Sequence, residues 1–364
     1  MKAFFKKNKG IAGGIISLVV FGIFSIFPVM ADIVYREFIF QIFRVIWDYS
    51  IGLLPFPIIF LLLIALPFLL YFYGRKFERK KITLLLFPLN IFGWVITFFL
   101  WMWGYNYCAT PLIADNKPLE MTPNDLYQFG LDVAQEVNLH LDPSGGHDEN
   151  QIAFLQDMEQ EKISPHEISD CIESYLKQKN RNTWGRARCV DLNDTGFLRR
   201  MGISGVYIPF VGEGHSTSTH REIVGIFVRA HETSHAYGIT GEGEADYVAY
   251  MALKERRRGS SQLQTIKRMY AADLELLRSI RSQLYIMNDS LRIALDSTLS
   301  PYVLEELRLI REDNQKYQQF FPGVQHKMND AYLKMMGVQD GILNYDRFVE
   351  MVWNDRRQKS VDQH

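Results

Sequence analysis

Three apolar stretches without a single Asp, Glu, Lys or Arg dominate the amino-terminal part of the chain: Gly10 to Met30, Ile51 to Tyr73 and Ile82 to Trp103. A hydrocarbon layer about 30 Å thick needs about 20 such residues in a helix, so each stretch has spanning length. Backbone in lipid must satisfy its own hydrogen bonds, which restricts these segments to helices. The first stretch also invites comparison with a signal peptide. Its apolar run is long for that, and Phe27-Pro-Val-Met-Ala-Asp32 is a mediocre cleavage site, so a retained anchor is expected. Between the first two stretches, Asp32 to Asp48 mixes charges with Phe, Ile and Trp, the pattern of an interfacial helix or a short external connection.

Orientation follows from the cations. Lys2, Lys6, Lys7 and Lys9 precede the first stretch, and Arg75, Lys76, Arg79, Lys80 and Lys81 lie between the second and third. Three crossings put both clusters on one side, which the positive-inside rule makes the cytoplasm. Residues 1–103 then form a membrane anchor, and 104–364 form an extracytoplasmic domain, periplasmic or extracellular. Pro55, Pro57, Pro67 and Pro88 fall within the stretches, where kinked packing accommodates them. A transporter or channel is disfavoured, because such pathways usually carry ionisable groups within the membrane.

The net charge of −1 over 364 residues gives no basis for nucleic-acid binding. Three cysteines, Cys108, Cys171 and Cys189, are too few for a disulfide scaffold. A Cys171–Cys189 pair is conceivable in an oxidising compartment, but buried thiols are the commoner outcome.

Beyond Trp103 the pattern is mainly helical. Thr122-Pro-Asn-Asp opens a helix reaching about Leu139, and Ser164-Pro-His-Glu opens another that ends near 177–181. Asp142 to His147 is a turn cluster. Gly202 to Gly212 reads as a short strand, with Pro209 assigning it to a sheet edge. From about Arg221 helical spacing continues almost to the end, with breaks at Ser300-Pro301, Pro322-Gly323 and Gly337 to Gly341. The expected fold class is mainly α, amino-terminal transmembrane helices followed by a helical domain with a short edge strand or small sheet.

Within this helical region stands His231-Glu232-Thr233-Ser234-His235. Four residues turn a helix by about 400°, so the two imidazoles project from one face, one turn apart. They can share one Zn2+ at about 2.0–2.1 Å, while Glu232 flanks them as a general base for the water that the metal activates. With nine histidines in the chain, about 0.01 chance HExxH matches are expected. Gly238 suits a left-handed helix cap, and Gly241 to Tyr250 opens a second, acidic helix. A catalytic zinc needs a third protein ligand. Position 241 is Gly rather than the histidine of metzincins, so an acid is expected: Glu242, with Glu244 as the alternative. Charged first-turn residues complementing the helix dipole are the plain explanation of these acids. His215 and His220 precede the helix and are weaker candidates for metal or substrate contact.

These motifs resemble membrane-anchored, zincin-like proteins of Bacteroidota and Firmicutes that are catalogued as a domain of unknown function. The resemblance rests on Trp103-Gly-Tyr-Asn-Tyr107, on Tyr207-Ile-Pro-Phe-Val-Gly-Glu213 with Val211 where Thr is usual, and on the HExxHxxG element at 231–238. It continues through Glu242 to Asp246, with Asp246 for Asn, and through Asn329 to Lys334 and Gly341 to Arg347. It covers most of the chain, with 110–200 matching weakly, and Thr233-Ser234 is more polar than the usual Leu-Ala. The Glu242-x-x-x-Asp246 spacing is similar to that of gluzincins, which implies Glu242 as ligand and Asp246 as the residue orienting His231. The resemblance implies a zincin-like fold and a zinc metallopeptidase, a hydrolase acting on an extracytoplasmic protein or peptide at a bacterial inner membrane. A non-catalytic envelope protein with structural zinc is the alternative. Tyr207, Ile208, Glu213, Asn329, Tyr345 and Arg347 are expected as substrate or oxyanion contacts.

Overall fold

The computed structural model describes residues 8–75, 81–113, 121–141, 157–158, 160–255, 260–321, 323, 327 and 347–361. Asn329, Tyr345, the 142–147 turn, the glycine-flanked break at 337–341 and most of the lysines of the two basic clusters lie outside them.

The amino-terminal part is helical. Helix α1 (Lys9–Ile26) is, among the described residues, the one helix both long and apolar enough to cross a membrane. Two further apolar helices are α3 (Ile59–Gly74) and α4 (Lys81–Met102). The second apolar stretch is therefore helical over 16 residues only. Pro55 and Pro57 lack backbone N–H donors, and the chain around them is irregular apart from a short turn, Ile51–Leu53. Helices α1 and α4 meet through small residues. A methyl on Gly14 would sit 2.9 Å from the Gly93 Cα, and Asn90 accepts from the Gly10 amide (3.1 Å) while donating to Asn8 (3.0 Å). Close backbone approach with a polar clasp is how helices associate in lipid.

Between α1 and α3, a π-helical segment (Ala31–Ile39) runs into α2 (Phe40–Asp48). Its amphipathicity is inverted. Gln41 and Arg44 are 2% and 3% exposed, whereas Ile33, Phe38 and Ile46 are 65%, 54% and 60% exposed. The polar side grips the rest of the protein: Arg44 donates to the Gly212 carbonyl (2.6 Å) and pairs with Asp48, and Trp47 Nε1 donates to the Val211 carbonyl. The apolar side faces outward, as at an interface helix bedded in lipid.

The remainder packs helices around a three-stranded sheet. Helices α5 (Pro123–Leu141) and α6 (Pro165–Gln178) start where Thr122 and Ser164 accept from the amides of Asp125 and Glu167, which relieves the unpaired first-turn donors. Strands β1 (Cys189–Leu192), β2 (Gly205–Ile208) and β3 (Glu213–Thr217) lie in the order β1-β3-β2, with β1 parallel and β2 antiparallel to β3. The expected strand is thus confined to four residues and does lie at an edge. Helices α7 (Glu222–Ala236), α8 (Glu242–Lys254), α9 (Gln262–Met287), α10 (Asp289–Asp296), α11 (Pro301–Gln315) and α12 (Arg347–Val361) follow. The main core gathers Val133, Ile172, Ile226, Val248 and Leu277 from α5 to α9, all fully buried. All three cysteines are free and buried, so Cys171 and Cys189 do not pair.

Candidate metal centre

Helix α7 ends in a cap that shapes the site. Gly238 adopts φ +92°, a left-handed conformation costly for other residues. Its amide donates to the His235 carbonyl (2.9 Å), and the Ile239 amide donates to the Ser234 carbonyl (3.2 Å), the two bonds of a Schellman closure. The closure brings the Ile239 carbonyl beneath the preceding turn, where it meets His235 Nδ1 at 2.7 Å. A carbonyl only accepts, so Nδ1 carries the proton and, in the neutral ring, Nε2 presents a lone pair.

Helix α8 packs beside α7 and supplies the other half. Asp246 Oδ1 lies 2.6 Å from His231 Nδ1, which orients that ring in the same sense. One turn earlier, Glu242 Oε2 lies 3.2 Å from His231 Nε2 and 3.4 Å from His235 Nε2, and the two Nε2 atoms are 3.0 Å apart. These three form the one group of potential metal donors among the described residues. A tetrahedral ion with bonds of about 2.0–2.1 Å separates its ligand atoms by about 3.3–3.4 Å, so the triangle matches zinc in both donor type and size.

The electrostatics favour a positive charge here. Burial opposes charging of His231, but Asp246 and Glu242 outweigh it and raise its pKa well above the ordinary value. Burial likewise opposes ionisation of Glu242, yet His235 and His231 hold its carboxyl below the usual range. A proton on one imidazole satisfies part of this demand. A dication satisfies all three donors at once.

Glu232 points from α7 toward the sheet. A Cβ on Gly205 would lie 2.7 Å from its Cγ and Oε1, and one on Gly214 would lie 2.9 Å from its Cβ. Two glycines, one in β2 and one in β3, thus make the room that Glu232 occupies. The carboxyl is buried, which pushes its pKa up despite the neighbouring imidazoles. Thr233 and Ser234 turn away, their hydroxyls bonded to the carbonyls of Arg229 and Ala230 at 2.7 and 2.9 Å, so their polarity is spent inside the helix.

The other expected residues have contacts of their own. Glu244 receives the amides of Leu112 and Ile113 (the latter at 3.1 Å), away from the donor triangle. Because Gly214 faces α7, strand alternation turns Glu213 and His215 to the opposite face. There Glu213 binds the Ile58 amide (2.8 Å) and Arg188 (2.6 Å). His215 is fully buried without a hydrogen-bond partner among the described residues, and burial beside Arg188 lowers its pKa to about 4. His220 Nε2 meets the Ser204 carbonyl at 3.1 Å. Tyr207 packs its ring at a tilt against Trp103, centroids 5.4 Å apart, and Ile208 pairs with Glu213 in the β2–β3 ladder. Arg347 opens α12, where the adjacent Phe348 packs on Phe227 and Tyr250.

Other residues hold the site without any sign in local pattern. Trp103, at the end of α4, donates from Nε1 to the His235 carbonyl at 2.8 Å. The apolar segment therefore braces the carboxyl end of α7 directly. Asp246→Asn keeps the shape but weakens the hold on His231; zinc affinity measured by chelator competition is expected to fall about 10–100-fold with the fold intact by circular dichroism.

No curated protein and no solved structure matches this chain. One family, described as a protein of unknown function (DUF3810), matches residues 35–353, a range that takes in α2, the donor triangle and α12 up to Trp353. By that match the chain belongs to the DUF3810 family.

Proposed function

We propose that this protein is a membrane-bound, zinc-dependent peptidase or related amide hydrolase of gluzincin type. One observation carries the reading: the Nε2 atoms of His231 and His235 and a Glu242 oxygen converge within 3.0–3.4 Å of one another, and Glu232 on the same helix interacts electrostatically with all three residues. His231, His235 and Glu242 would hold the zinc and leave one tetrahedral position for substrate chemistry. When bound, the ion supplies Lewis acidity and makes water acidic enough to ionise near pH 7.

The residues of the chain do the rest. Asp246 and the Ile239 carbonyl keep both Nε2 lone pairs aimed at the donor triangle. Glu232 accepts a proton from the water that attacks the scissile carbonyl, and passes it to the amine nitrogen as the C–N bond breaks. A purely structural zinc needs no such base, and two strand glycines kept open for Glu232 favour catalysis. Among the described residues no strand pairs with the outer edge of β2, which suits it to align an extended peptide.

The inverted amphipathic helix and the apolar α1, α3 and α4 support attachment to a bilayer. We read the anchor as crossing three times, with the amino terminus cytoplasmic and the domain outside, because the two lysine- and arginine-rich clusters then share the cytoplasmic side.

The test is metal removal from the full-length protein in detergent. A zinc chelator is expected to abolish cleavage of a quenched-fluorescence peptide library, and stoichiometric zinc to restore it. Cleavage that survives chelation with the zinc demonstrably removed contradicts the proposal.

A further inference from the structure

A cavity of about 960 Å³ lies next to the candidate centre and has no part in the chemistry above. It is walled by the Gly202–Ser204 turn and by α9, α10 and α11. Its place relative to the site is set by the chain. Ser204 lines the cavity, and the following residue, Gly205, is the glycine that abuts Glu232. Ser204 thus joins the cavity to the strand whose Gly205 abuts Glu232.

Its walls are unequal in charge. Arg199, Arg278, Arg281, Arg292 and Arg311 line it, against Glu275 as the sole carboxylate. Four of the five are ion-paired: Arg278 with Glu275 in the wall itself, Arg292 with Asp289 (2.5 Å) and Asp296 (2.7 Å), Arg281 with Asp296 (2.6 and 2.9 Å) and Arg199 with Asp313 (2.7 Å). Arg311 is exposed and has no ion-pair partner among the described residues. The counter-ions fix these guanidinium groups in place but occupy much of their N–H forks, so a carboxylate would be met by the donors left over and by Arg311. The volume is at the upper end of ordinary ligand sites, about 300–1,000 Å³, room for several residues rather than one side chain. Tyr285 and Tyr317 add aromatic walls for the apolar parts of a chain.

We propose that this arginine-walled cavity binds an acidic segment of a polypeptide, flanking the bond presented to Glu232, so that the substrate class is peptides with clustered Asp or Glu on one side of the cleavage point. This rests on the peptidase reading, because the ligand is identified from the cavity's continuity with Glu232. The ligand is peptide rather than lipid headgroup because the cavity adjoins, through Ser204, a strand whose outer edge is unpaired among the described residues.

The test uses full-length Glu232→Gln protein in detergent and fluorescein-labelled peptides that carry four consecutive Glu, Gln or Lys residues. Binding by anisotropy is expected to favour the Glu peptide at least about tenfold, and to weaken as salt rises. The double variant Arg278→Gln/Arg311→Gln loses that preference, and Arg278→Lys/Arg311→Lys retains part of it, with zinc content unchanged in both. In the enzyme with Glu232 intact, the Gln pair raises KM for acidic peptides and leaves kcat unchanged. Equal binding of all three peptides, or a preference that survives the Gln pair, overturns the proposal. So does displacement of the Glu peptide by phosphatidylglycerol vesicles but not by unlabelled peptide. Selective binding without any turnover by the intact enzyme instead sinks the peptidase reading and leaves the cavity an acidic-peptide site.

Discussion

Glu232→Gln is expected to leave the zinc content of the protein unchanged and to lower peptide turnover by about a thousandfold, within the range that a positioned general base contributes. Glutamine has the same shape, so it fills the space left by Gly205 and Gly214 without a clash. It removes a buried carboxyl whose ionisation is opposed by its surroundings, so the fold is not expected to suffer. None of the donor atoms that converge on the metal position belongs to Glu232. What the variant lacks is a group able to take the proton from water. Zinc by mass spectrometry together with turnover on one peptide substrate reads both quantities. Turnover within tenfold of the parent would remove Glu232 from the reaction.

Glu242→Ala and Glu244→Ala are expected to fail in different ways, although the two residues stand two positions apart on α8. The first removes one corner of the donor triangle, and zinc affinity collapses by orders of magnitude. The second leaves the triangle whole but strands the amides of Leu112 and Ile113 without their acceptor. Unsatisfied buried donors cost about 1–3 kcal/mol each and these two are only partly buried, so the thermal midpoint is expected to fall by roughly 3–6 °C while zinc is retained. Metal content and thermal denaturation of the two variants, side by side, check this. Zinc loss in Glu244→Ala with retention in Glu242→Ala would reverse the assignment.

The parts of this arrangement that were legible in the sequence are the local ones. Helical spacing put His231 and His235 on one face, Gly238 marked the cap, and Glu242 and Asp246 came one turn apart on the next helix. Each depends only on neighbours a few residues away. The first apolar stretch is legible for the same reason, whereas composition makes the second longer than its helix, which begins only after Pro55 and Pro57. Strand β3 was not legible: Glu-Gly-His-Ser-Thr has neither alternation nor β-branched richness, and it is a strand because β1 and β2 pair on both sides. Without its register, nothing indicated that Gly214 rather than Glu213 would face Glu232. The indole of Trp103 on the His235 carbonyl spans 132 positions and belongs to tertiary packing alone. The inverted polarity of Asp32 to Asp48 was visible as a mixture of charge and apolar residues, but which face met protein had to come from the fold.

The central claim is that the donor triangle of His231, His235 and Glu242 holds zinc. Elemental analysis of the full-length protein, purified in mild detergent without added chelator, tests it most directly. One zinc ion per chain is expected in the parent and none in His235→Ala, with both folded by circular dichroism. A folded parent that takes up no zinc even when zinc is supplied, or a His235→Ala variant that keeps it, would contradict the account.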